Sequence, residues 1–234
     1  MKSAVTWGDR IDAVVNTTKW PVAIATAAIT PSLAWGMLAL IARLVHTPSW
    51  SLVPFGCGIA AFVILWRRWI GRLAIGRWLV TMEHEVTHAI FAFLTFHKIV
   101  SIRASMGSGG EVRYEGKGNW LITAAPYFFP TAALVLSLLA YLLPFPNLPW
   151  PSFLLGVALG YHFISTYRET HRDQTDLQEL GNLFCWMFLP AANLAMVAFL
   201  IAFAHSGTDG VKLWLADCRQ PFDLAITSLQ QFYQ

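Results

Sequence analysis

The stretch Trp78–Phe93, WLVTMEHEVTHAIFAF, places Glu83, His84, Glu85 and His88 within six positions, between flanks apolar enough for a membrane interior. An acid at the centre of a membrane span costs about 2.5–3.5 kcal/mol on insertion scales. Ionisable groups kept in such a place are functional candidates. The pattern predicts a helix here, and on a helix positions i and i+4 share one face about one turn apart. His84 and His88 then offer two imidazoles to one metal ion. Glu85, rotated about 100° from His84, can reach a water on that metal, which is the H-E-x-x-H arrangement with glutamate as general base. Chance would produce this pattern in on the order of one such chain in two hundred. Glu83 has no such role and reads as a partner for an arginine or a support for a ligand.

Working outward, the whole chain has the composition of an integral membrane protein. It has 234 residues, 56% hydrophobic and only 12% charged, against about 25% charged in soluble domains. The formal net charge of +3 is too small to point to nucleic acid, and the basic residues lie at the ends of apolar runs. Cys57, Cys185 and Cys218 show no metal-binding or paired spacing; Cys57 and Cys185 read as small apolar fillers.

A span needs about 20 apolar residues. The candidate runs are Trp20–Ala42, Trp50–Trp66, Leu73–Phe96, Trp120–Leu143, Ser152–Tyr167 and Leu183–Ala204. The expected fold is therefore an all-α polytopic membrane protein with about six transmembrane helices. The first run is too long for a signal-peptide core and reads as a retained span. Pro31, Pro126, Pro130 and Pro190 fall inside runs, where proline frees a backbone carbonyl and can kink the helix. Trp20, Trp50, Trp66, Trp120 and Trp150 stand at run ends like an interfacial belt. Arg67, Arg68, Arg72 and Arg77 favour a cytoplasmic loop before the third run, while Lys98, Arg103, Arg113 and Lys117 after it pull the other way.

Between the third and fourth runs, KIVSIRASMGSGGEVRYEG alternates apolar residues at Val100, Ile102, Ala104 and Met106, turns at GSGG, and alternates again at Val112 and Tyr114. Period two around a glycine turn predicts a small β-hairpin. Open strand edges cannot face lipid, so a hairpin at membrane depth must be covered by protein or line a wet cavity. The segment Val100–Met106 is the strand expected to pair with an extended substrate. The chain reads as one membrane-embedded domain, residues 1–234, with a catalytic core at 73–194. Residues 207–234 read as a C-terminal surface or interfacial helix broken near Pro221.

Zinc sites of this type take a third protein ligand and leave one position for water. The polar cluster Tyr161–Phe184 supplies the candidates. Asp176 sits where polar sequence gives way to the last apolar run, which makes it the leading third ligand; Asp173, His171 and His162 are the alternatives. Arg168, Glu169 and Arg172 read as a solvated loop. Asn119 and His162 are candidate oxyanion helpers.

With these residues in place, Leu73 to Leu194 resembles the site-2 protease family of intramembrane zinc metalloproteases. HEVTH inside an apolar run matches the family's first motif, and the hairpin SIRASMGSGGEVRYEG, the run GNWLITAAPYFFP and a later aspartate follow in order. The family's Leu-Asp-Gly triplet is replaced by QTDLQELG, and the short linkers leave no room for the PDZ domain that many members carry. The resemblance implies one Zn2+ ion and hydrolysis of peptide bonds in or near transmembrane segments of membrane proteins. It also implies a multi-pass protein of the bacterial inner membrane whose partners are its substrate and the lipid bilayer. Other readings are a membrane zinc hydrolase acting on a lipid or lipidated peptide, and a non-enzymatic metal-binding membrane protein. The latter has no need of a general base, and Glu85 is present.

Overall fold

Pro126, Pro130 and Gly207 decide where two of the apolar runs turn. The computed structural model describes residues 6–105, 109–142, 149–171 and 173–232. It is mostly helical: α1 (Trp7–His46), α2 (Leu52–Arg68), α3 (Ala74–Leu94), α4 (Trp120–Ala124), α5 (Thr131–Leu142), α6 (Trp150–Glu169), α7 (Thr175–Leu180) and α8 (Asn182–Phe232). One antiparallel hairpin, β1 (Ile99–Ala104) with β2 (Gly110–Tyr114), lies between α3 and α4.

Among the described residues three helical stretches are long and apolar enough to cross a membrane, Trp7–His46, Leu52–Arg72 and Asn182–Ser228. A fourth is added if α4 and α5, bent by 79° at their break, count as one span. The sequence predicts about six. The difference has a physical source. The third run carries Arg77, Glu83 and Glu85 and the fifth carries Tyr161, His162 and Ser165, so α3 and α6 are amphipathic rather than uniformly apolar. Pro126 and Pro130 end α4 and precede α5, and a 3-10 turn, Ala125–Tyr127, joins them. Asn193 of α8 donates to the Tyr127 carbonyl at 2.8 Å, satisfying the broken backbone. Leu143, at the end of the predicted fourth run, lies outside the described residues.

The helices pair as α1 with α8 and α2 with α6. In the second pair, glycines bring the backbones into contact. A Cβ on Gly58 would collide with the Phe153 carbonyl, and one on Gly156 with the Phe55 carbonyl. Close approach of this kind at small residues is how helices associate when lipid removes the hydrophobic drive. Trp120 and Trp66 leave the predicted interfacial belt. Trp120 is buried among Phe184, Phe188 and Ala23 and donates its indole N–H to the Val15 carbonyl at 2.7 Å. Trp66 is buried beside Phe62. Trp50, Trp20 and Trp150 remain exposed.

The C-terminal segment also departs from expectation. The helix runs through Pro221 and breaks instead at Ser206 and Gly207, where Gly207 adopts φ 61°, ψ −140°. The chain reverses there. A Cβ on Gly210 would strike the Ala202 carbonyl, whereas eight residues of straight helix are about 12 Å long. The returning half packs on α1 through Arg43–Asp217 at 2.6 Å and Trp35–Gln220 at 3.0 Å.

The glycine contact between α2 and α6 is testable. Gly156→Val overpacks that contact, which costs about 1–3 kcal/mol. The detergent-solubilised variant should melt well below wild type, while Gly56→Ala, which meets open space, should not.

Candidate metal centre

Helix α3 is built from alanine, leucine, isoleucine and phenylalanine around its polar positions and ends where Phe96 takes a positive φ of 63°. Its last turn is closed by Thr95, whose hydroxyl donates to the Phe91 carbonyl at 2.7 Å. The i,i+4 spacing stacks His84 and His88 with ring centroids 4.8 Å apart and their Nε2 atoms 3.2 Å apart, both rings buried. Asp176 enters from the first turn of α7. Its Oδ2 lies 3.1 Å from His88 Nε2 and 3.5 Å from His84 Nε2. Burial pushes the Asp176 carboxyl up, but hydrogen bonding and charge from His84 and His88 outweigh it and hold the group well below the usual carboxylate range.

His84, His88 and Asp176 offer ligand atoms that all lie within 4.8 Å of one another. The donor set fits zinc: two imidazole nitrogens and one carboxylate oxygen at about 2.0–2.1 Å from a tetrahedral ion would be roughly 3.3 Å apart. The hydrogen bonding fits as well. His88 Nδ1 is 2.8 Å from the Ile122 carbonyl, which can only accept, so Nδ1 carries a proton and donates it. Nε2 is then left with its lone pair facing two other potential ligand atoms, as a metal ligand requires. Imidazole ligands of metals are oriented by this kind of second hydrogen bond.

The Ile122 carbonyl is free for His88 because its helical partner four residues on is Pro126, which has no N–H. Tyr127, in the same turn, donates its hydroxyl to Asp176 Oδ2 at 3.2 Å. Sequence reasoning missed both Ile122 and Tyr127; the proline was the available signal. A cavity of about 380 Å³ opens over the cluster, lined by His84, Glu85, His88, Asp176, Gly110 and Val112. Gly110 has a steric purpose, since a Cβ there would collide with the Glu85 carboxylate.

The strand at this cavity is β2 rather than the segment Val100–Met106, and Met106 lies outside the described residues. A bulge between Ile99 and Ser101 shifts the register, so Ile99 packs on the core while Val100 and Ile102 are exposed. Ser105 N–H donates to the Gly109 carbonyl, and bonded and non-bonded pairs alternate in an antiparallel ladder. Arg103 and Glu111 therefore form a bonded pair, and Gly110 and Val112 turn their N–H and C=O groups to the outer edge.

The other candidates lie elsewhere. The Asp173 side chain is 98% exposed and 4.0 Å from His171. His171 lines a second cavity of about 730 Å³ with Tyr127, Trp186 and Asn193. His162 is buried on α6, near Thr166 and Asn193. Asn119 spends its side chain on capping α4 and on Asp12. Glu83 meets Thr87 and Ser165 rather than an arginine. Glu169 accepts from Gln174 at 2.8 Å, and Arg172 lies outside the described residues.

A model of the Peptidase M50B-like family matches residues 55–208. The chain belongs to that family. The M50B-like match covers α3, the hairpin, α7 and the first half of α8, and agrees with the site-2 protease resemblance. M50B-like proteins are membrane peptidases of the zinc metallo type. No curated protein and no solved structure gives a significant match.

For this M50B-like chain, Asp176→Ala should lower zinc occupancy as far as His88→Ala does, and Asp173→Ala should leave it unchanged. Metal analysis of the three purified variants decides the ligand set.

Proposed function

We propose that the chain is an intramembrane zinc metalloendopeptidase of the bacterial inner membrane, hydrolysing peptide bonds in or near transmembrane segments of membrane proteins. The observation that carries this reading is the convergence of His84, His88 and Asp176 in one cavity with Glu85 and an unpaired strand edge. His84, His88 and Asp176 would hold the ion. Zinc, when bound, supplies Lewis acidity that brings the pKa of its water to about 7. Glu85 accepts a proton from the attacking water and returns it to the nitrogen of the leaving amine, so one water is consumed and an acid and an amine are released. His88 is kept in the Nδ1-protonated form by Ile122.

A helical substrate must also be unwound before it is cut, because its carbonyls are engaged in its own turns. The freed N–H and C=O groups then need partners, and each left bare in an apolar site costs several kcal/mol. The outer edge of β2 at Gly110 and Val112 offers those partners by β-addition. Gly110 lets that edge lie directly against Glu85.

Variants of Glu85 and of the hairpin test this reading. Glu85→Gln should keep zinc and lower cleavage of a transmembrane peptide by about 10²–10⁴-fold; near-normal turnover by the zinc-loaded variant removes Glu85 from the mechanism. Val112→Pro deletes an outward N–H without touching the hairpin's own bonds and should lose cleavage with zinc retained. Ile102→Pro, which deletes an outward N–H on the far side of the hairpin, should cut normally. Membrane-protein fragments that do not differ between cells carrying wild type and Glu85→Gln would argue for a lipid or another substrate.

A further inference from the structure

The helix that precedes the M50B-like match carries a buried carboxylate aimed at the metal centre's support. Asp12, on α1, is 4% exposed, and a charge at such depth is stable only when fully hydrogen-bonded. Its Oδ2 accepts from the Gly118 backbone N–H at 2.9 Å and faces His97 Nε2 at 3.0 Å, while its Oδ1 accepts from Asn119 Nδ2 at 2.8 Å. Asn119 is equally buried. With its Nδ2 committed to Asp12, its Oδ1 is turned to accept from Ile122 N–H at 3.2 Å, which caps α4. Ile122 is the residue whose carbonyl accepts from His88 Nδ1. One turn along α1, Asn16 accepts from Trp120 N–H at 3.0 Å and donates to the Gly118 carbonyl at 3.3 Å.

From this chain of contacts we infer that Asp12 is a positioning residue for the metal centre, acting through Asn119 and the first turn of α4 on the Ile122 carbonyl that orients His88. The family match begins at residue 55, so α1 contributes a support that the matched region lacks. A helix of five residues has too little internal hydrogen bonding to hold its own direction. Its cap therefore decides where the Ile122 carbonyl points. Asp12 decides which way the Asn119 amide is turned, because only the amide nitrogen can donate to a carboxylate. The inference rests on the reading of His88 as a metal ligand.

The test is zinc affinity, measured by chelator competition on the full-length chain in detergent, with no need of turnover. Asp12→Asn keeps the side-chain shape but loses the charge and competes for the amide's orientation. Asn119→Asp keeps the cap oxygen but loses the donor and sets two carboxylates face to face. Each single variant should weaken zinc roughly tenfold, the lower end of the range for partners that orient a ligand. Combining Asp12→Asn with Asn119→Asp restores a donor–acceptor pair with its direction reversed and should return affinity to within about threefold of wild type. Thr6→Ala removes the N-cap side chain of the same helix and should leave zinc binding unchanged. Singles that fold, judged by helicity and gel filtration, yet bind zinc like wild type would overturn the inference. So would a double variant no better than the weaker single. If one single fails to fold, the other single and the double still decide. A wild type that takes up no zinc would instead overturn the metallopeptidase reading, and this inference with it.

Discussion

The hydrogen bond from His88 Nδ1 to the Ile122 carbonyl is the contact on which the arrangement of the site depends. It exists because a proline four residues later removes the donor that would otherwise claim that carbonyl. The same proline stops α4 after five residues, and beyond Tyr127 the chain bends by 79° into α5. Tyr127 reaches Asp176 before the bend, and Thr131 meets Thr87 after it, their hydroxyls 2.7 Å apart. One missing N–H thus sets a ring tautomer and ends a helix.

The cost of polar groups in apolar surroundings explains the rest of the interior. Several buried polar side chains are paired in short relays, Thr95 with His97 and His97 with Asp12 among them. Large apolar side chains such as Leu38, Val45, Phe93 and Leu139 are left on the outside. In water that distribution would be unfavourable; against lipid it is neutral. Helix α3 turns His84, Glu85, Thr87 and His88 inward, and α6 turns His162 and Ser165 inward.

Local spacing alone makes part of this architecture legible. The pair His84 and His88 is a statement about one helical turn, and the glycine-flanked alternation after it is a statement about one hairpin; both need only neighbouring residues. Asp176 is legible in the sequence only as one of four candidates, because its distance from α3 depends on the path of α5 and α6. The roles of Ile122 and Tyr127 are not legible, since a backbone carbonyl has no letter of its own and a tyrosine in an apolar run looks like core. Asp12 is hidden among the polar residues of the N-terminal turn. The bulge after Ile99 reverses which strand residues face inward, and no periodicity argument can see one inserted residue. The break in α8 falls at Gly207 rather than Pro221 because a proline costs a helix one hydrogen bond, whereas positive φ ends it.

Helix α1 has 40 residues, about 60 Å at 1.5 Å per residue, twice the roughly 30 Å hydrocarbon core. Its apolar stretch begins at Trp20, and Asp12 precedes that by roughly 12 Å of helix. The loop bonded to Asp12 therefore lies beside turns of α1 that precede its apolar stretch. One long helix thus serves two surroundings: its apolar part suits lipid, and the extra turns before Trp20 reach back to brace the loop at Gly118 and Asn119.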